Sequence, residues 1–207
     1  MAIRAALFVA SAIALVAGAP VTARRQQASP SMATADLRAS FATAAPDWLA
    51  RLEQDETQEA CSRYRNAPPK AVVKAILARE KARIAFPADG KLIGDWKKGE
   101  ALAQSGYGGR YTDVPAGGPN GGNCYACHQL DARELSYGTL GPSLAGYGKI
   151  HAFAPAAVRA VYERIYNPEA AIPCANMPRL GANGFLTIDQ IRDLVAYVMS
   201  PESPVNK

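Results

Sequence analysis

Apolar positions along the chain form one unbroken run near the start and helical stripes after it. No stretch alternates with a period of two for long enough to make a strand. The run is AALFVASAIALVAGA, preceded by Arg4 and followed by Pro20 and VTA. A positive start, a short apolar middle and an A-x-A-like end predict a signal peptide over 1–23, with ATA ending at Ala35 as the second cleavage candidate. An anchoring helix is the competing reading, but the run is shorter than the ~20 residues a span needs. Residues 24–45 are rich in Ala, Ser, Gln and Thr without periodicity and read as a flexible linker.

The stripes begin at Pro46-Asp47. One helix is expected over WLARLEQDETQEACSRYR, with a thin apolar stripe of Trp48, Leu49, Leu52 and Cys61. A second follows over KAVVKAILAREKARIAF, where Val73, Ile76 and Leu77 share a face and Pro87 with Gly90 closes the run. Together they form a helical extension over 46–93, too small to stand alone and expected to pack on the rest. The main domain then runs over 94–207. Asp95 caps a helix over WKKGEALAQSG by accepting from first-turn amides. Gly99 inside it costs ~1 kcal/mol relative to Ala, which close approach of another element would explain.

Residues 105–123 hold seven glycines and two prolines and read as a loop. GTLGPSLAGYG at 138–148 is again turn-rich. Pro155 opens a helix with Val158, Val161, Tyr162 and Ile165 on one face, ended by Asn167-Pro168. After an irregular segment, Thr187 and Gln190 form a capping box for a last helix bearing Ile188, Ile191, Leu194, Val195 and Val198, which Pro201 stops. The predicted class is all-α. Loops this long are uncommon in a compact domain unless something holds them, and a large bound cofactor would supply the missing core.

Composition narrows the picture. With 207 residues, 49% hydrophobic, the chain can bury one sizeable core. The formal charge of +5 is mild and no block of like charge forms a basic arm, so the charge does not point to nucleic acid and leaves a bias toward acidic docking partners. Export places Cys61, Cys124, Cys127 and Cys174 in a compartment that permits disulfides.

Candidate chemistry centres on GGNCYACHQL, residues 121–130. A thioredoxin-like C-x-x-C needs a βαβ setting that this chain lacks. Structural zinc needs four ligands, usually two pairs, and there is no second C-x-x-C. C-x-x-C-H is the attachment signature of c-type haem. Thiols three positions apart on a helical turn face the same way, toward two vinyl groups, while His128 offers an imidazole to the iron. For the sixth position, Met177 in the irregular segment is the candidate, with His151 the other reading. A soft thioether favours ferrous iron, and the raised potential of a His–Met pair fits electron transfer. Cys61 and Cys174 remain, read as a disulfide or as two free thiols, Cys174 reactive in its own right. Arg179 and Lys149 are read either as flanking the haem edge or as solvated surface charges.

The helix from Asp95 through Gly99, C-Y-A-C-H, G-P-S-L-A-G at 141–146, N-M-P at 176–178 and the ending VAYVM resemble class I cytochromes c. That resemblance implies a crossing of the first and last helices with Gly99 against Tyr197, and the Pro142 carbonyl on the proximal imidazole N–H. More narrowly, GNCYACHQL, GTLGPSLAGYGKI, VYERIYNPEAAIPCANMPRLGANGFLT, SPESPVN and the extension around DETQEACSRYR resemble the SoxX family over roughly residues 46–207. SoxX proteins are the monohaem subunits of SoxAX complexes in bacterial thiosulfate oxidation. The resemblance implies one covalent haem c with His128 and Met177 on the iron and a periplasmic heterodimer with a SoxA-type cytochrome. It also implies an electron-accepting, non-catalytic role while thiosulfate is joined to a cysteine of the SoxYZ carrier, with a downstream cytochrome as acceptor. The alternatives are a stand-alone periplasmic carrier and a gas sensor with a labile sixth position.

Overall fold

Asp55 splits the first expected helix in two. Its carboxylate accepts from the Gln58 N–H, and its own N–H donates to the Gln58 side chain, a capping box that restarts the chain inside the predicted element. The computed structural model describes residues 30–44, 46–110, 113 and 118–207. The expected signal peptide therefore lies outside the described residues. In place of one long helix there are two short ones, α2 (Pro46–Ala50) and α3 (Glu56–Arg63). Ahead of them, part of the expected linker is helical: α1 covers Pro30–Ser40. A proline opens it, Ala, Leu, Met and Arg supply helix propensity, and residues 35–40 are all exposed. Arg38 pairs with Glu53 beyond α2.

Helix α4 (Lys70–Ala82) buries Ile76 completely and, one turn on, Glu80. Val73 and Leu77, expected beside Ile76, are only half-buried. Beyond α4 the chain docks on the main domain. The Tyr162 hydroxyl donates to the Ala85 carbonyl at 2.7 Å, the Phe86 ring stacks on Tyr162 at 5.4 Å, and Arg83 donates to the Ala182 carbonyl at 3.1 Å.

The main domain rests on the crossing of α5 (Trp96–Gln104) with α8 (Ile188–Met199), the most extensive helix contact in the fold. Gly99 makes it possible. A Cβ there would lie 2.0 Å from the Asp193 carbonyl oxygen and 2.9 Å from Tyr197 Cβ, so any other residue would push the helices apart. Gly94 N–H donates to the Arg192 carbonyl and Asp95 N–H to the Asp193 carboxylate, fixing the entry to α5 on α8. From Leu194 to Met199 every residue of α8 is buried. Each large apolar side chain so buried contributes about 1.5–3 kcal/mol. Helix α7 (Pro155–Tyr166) adds Val158, Val161, Tyr162 and Ile165 to the same core, as its stripe predicts.

Two features of the turn-rich segments are absent from the sequence reading. A short helix, α6 (Tyr147–Ile150), follows Gly146, whose φ of 71° suits a glycine. The tail after α8 folds back over it: the Asn206 amide donates to the Val198 and Ser200 carbonyls, and Gly146 N–H donates to the Val205 carbonyl. Among the described residues the regular elements are all helical, and no helix is long and apolar enough to cross a membrane.

Candidate haem site

The glycine-rich loop returns to α5 before the cysteines begin. Gly122 N–H donates to the Leu102 carbonyl at 2.8 Å and Asn123 N–H to the Ser105 carbonyl at 2.9 Å, so the motif starts at the C-terminal end of α5. Asn123 takes a left-handed conformation, φ 51°, and turns the chain into a 3₁₀ turn over Cys124–Ala126. Side chains at i and i+3 eclipse in such a turn, which places Cys124 and Cys127 on one side. Both are free thiols, and burial pushes the Cys124 thiol up to about 12, keeping it protonated.

His128 follows with its Nδ1 2.7 Å from the Pro142 carbonyl oxygen. That bond makes Nδ1 the protonated nitrogen and leaves the Nε2 lone pair to ligate. Backbone bonds lace the loop of Pro142 to the motif: Gly138 N–H to Tyr125 O at 3.0 Å, Gly141 N–H to Cys127 O at 2.8 Å, and Leu144 N–H to Gln129 O at 2.8 Å. Gly141 lies against the imidazole itself, since a Cβ there would come within 2.2 Å of His128 Cε1. This donor set fits a haem held through two thioethers: two unpaired thiols on one side of a turn, and an imidazole oriented by a carbonyl. Leu140, two residues before Pro142, and Ile172, five before Met177, are apolar side chains open to solvent, at 68% and 50% exposure.

Met177 packs half-buried against the main core. Met199 is a core residue, 1% exposed. His151 is exposed after α6, its ring tilted against Tyr147 at 4.3 Å. Cys61 and Cys174 are joined in a disulfide with Cα atoms 5.5 Å apart. Lys149 is exposed on α6, but Arg179 is not a surface charge: it is 5% exposed. That correction has a structural cause. Arg179 Nη1 lies 2.6 Å from Asp55 Oδ2 and 3.5 Å from Glu80 Oε1, and its Nε lies 3.8 Å from Glu169.

Glu80, 0% exposed, accepts from the hydroxyl of Thr57 and the amide of Asn167, and pairs with Arg83 at 3.1 Å. Burial alone would raise its pKa, but the Thr57 and Asn167 hydrogen bonds and the guanidiniums of Arg83 and Arg179 outweigh it and hold the carboxyl below its ordinary value. Asp55 is likewise lowered, burial being overcome by the Gln58 N–H, Arg179 and Arg83. For Glu169 burial wins over Arg179, reinforced by the neighbouring carboxylates of Glu80 and Asp55, and its pKa is raised. Sequence reasoning missed this cluster. The one available signal was a lone Glu80 on the Ile76 face of α4.

Two comparisons bear on the site. The family model described as cytochrome c matches residues 97–201, from the first turn of α5 to just past α8. An uncharacterized lipoprotein of Aquifex aeolicus (strain VF5) is 40% identical over 205 residues, covering 98% of this chain and 97% of its own length.

Proposed function

Because the chain belongs to the cytochrome c family, which implies covalently bound haem c, we propose that it is the electron-accepting subunit of a SoxAX-type thiosulfate-oxidising complex. The observation that carries the electron-transfer reading is the Cys124–His128 turn, with its paired free thiols and its imidazole held by the Pro142 carbonyl. The bound group supplies a one-electron Fe(III)/Fe(II) couple. The protein's residues do the rest. Cys124 and Cys127 hold the porphyrin edge, Pro142 orients His128 through its Nδ1–H, and Met177 presents a thioether that favours the ferrous state. One haem with a His128/Met177 pair is the ligation we propose. No residue of this chain is assigned as a nucleophile toward thiosulfate, so the sulfur chemistry belongs to a partner.

Sequence likeness over 46–207 supports the narrower assignment, above all Y-N-P-E-A-A-I-P-C-A-N-M-P-R at 166–179. The extension supports it too, since a stand-alone carrier has no evident use for an added lobe. The partners proposed are a SoxA-type cytochrome in a heterodimer, the SoxYZ carrier through that complex, and a downstream cytochrome that takes the electron. A periplasmic location follows from the leader pattern at 1–23 and agrees with a relative named as a lipoprotein. Purification from the native host tests the reading: co-elution with a SoxA-type cytochrome is expected. A haem-loaded monomer that does not bind such a cytochrome would favour the stand-alone carrier.

A further inference from the structure

The segment that carries Met177 is tied to the N-terminal lobe at both ends. Three residues upstream, Cys174 is bonded to Cys61 of α3. Two residues downstream, Arg179 reaches Asp55, the N-cap of α3, and Glu80 of α4. Cys174 holds φ at 62°, a left-handed conformation that residues other than glycine adopt at a cost, so the disulfide sits where the backbone itself would rather relax. The lobe side of the second tie is rigid. Glu80 is fixed by Thr57, Asn167 and Arg83, and Asn167 also donates to the Glu80 carbonyl at 3.1 Å. A buried carboxylate with that many donors has one well-defined position.

We propose that the lobe is a two-point brace for the distal ligand, with Arg179 and the Cys61–Cys174 bond as positioning residues that keep the Met177 thioether on the iron. The proposal rests on the reading of Met177 as sixth ligand. Displacing that ligand requires its segment to swing away. With one end covalently closed and the other in a buried ion pair, the opening must break the pair or carry the lobe along, which makes the open state rare. An added ligand that needs the open state binds more weakly by the fraction of molecules open.

The test is imidazole binding to the ferric, haem-loaded full chain, read by absorbance. Met177→Ala sets the tight-binding limit. Cys61→Ser/Cys174→Ser combined with Asp55→Asn, which keeps a capping side chain at position 55, is expected to bind imidazole about tenfold or more tightly than wild type, the usual scale for coupling between sites. Arg179→Lys is expected to lie closer to wild type than Arg179→Gln. Tyr162→Phe, which cuts the lobe's bond to α7 without touching the Met177 segment, is expected to lower the unfolding midpoint and leave imidazole affinity unchanged. The brace is overturned if the combined variant binds imidazole as wild type does, or if Tyr162→Phe shifts affinity as far as the brace variants do. A wild type that already binds at the Met177→Ala limit removes the ligand assignment and the brace with it. A gap between those two proteins that the brace variants leave unchanged removes the brace alone.

Discussion

The two sides of the candidate haem site are held by different means. On the side of His128, backbone does the holding. Gly138, Gly141 and Leu144 N–H groups bond to carbonyls of the motif, the Pro142 carbonyl meets the imidazole, and the segments involved lie within twenty-five residues of one another. On the side of Met177, side chains do it, and their partners are remote: Cys61 bonds Cys174 across 113 positions, and Asp55 and Glu80 meet Arg179. A ligand held by local backbone is fixed as soon as its loop folds. One held by distant side chains depends on a second structural unit being in place, which, under the proposed Met177 ligation, makes that unit part of the site.

Perturbing each side in turn sharpens the contrast. The largest effect belongs to the attachment itself: Cys124→Ala/Cys127→Ala is expected to yield a chain whose intact mass lacks haem and which shows no haem stain after denaturing electrophoresis. Next is the distal tie. Cys61→Ser/Cys174→Ser should lower unfolding stability by ~2–4 kcal/mol, as expected for a long closed loop, measured by denaturant titration with haem still attached. Gly141→Ala attacks the proximal side. Its methyl would have to displace the His128 ring or the loop, at a cost of about 1–3 kcal/mol, with a change in the haem spectrum that the cysteine pair variant should not reproduce. If both variants perturbed the two sides equally, the division between local and remote support would not hold.

The smallest effect is the pH dependence that Asp55 and Glu80 bring to the distal side. Asp55 and Glu80 titrate below their ordinary values of 3.8 and 4.5 in the folded state, so they stabilise it fully above those values. That contribution is lost as pH falls through the ordinary range and below. Glu169, with its raised pKa, works in the opposite direction and in the adjoining window above 4.5, where it disfavours the folded state as pH rises. The unfolding midpoint is expected to fall with acid below pH 4.5, and Arg179→Gln should flatten that dependence; an unchanged slope in the variant would detach these carboxylates from Arg179.

The same division explains what could be read from the sequence. The proximal motif is contiguous, and α5, α7 and α8 carry stripes and caps with the right period, so the all-α cytochrome c fold was legible in the stretch the family model matches, residues 97–201. Gly99 was legible too, because a mid-helix glycine demands a close neighbour and α8 supplies it. The Asp55 capping box was missed because a continuous polar helix and two short ones have similar composition, and only the returned Gln58 bond distinguishes them. Helix α6 and the tail over it were hidden in turn-rich sequence whose order comes from Asn206 and Ser203 bonding to main chain. The surface-charge reading of Arg179 failed because a charge next to a loop proline gives no sign that three carboxylates from other segments surround it.

The central claim is that His128 and Met177 share one iron. The long-wavelength sulfur-to-iron charge-transfer band of the ferric protein tests it most directly. The band is expected in the wild-type spectrum and absent from Met177→Ala, with covalent haem content equal in the two. A band that survives Met177→Ala, or that is missing from the wild type, would contradict the account.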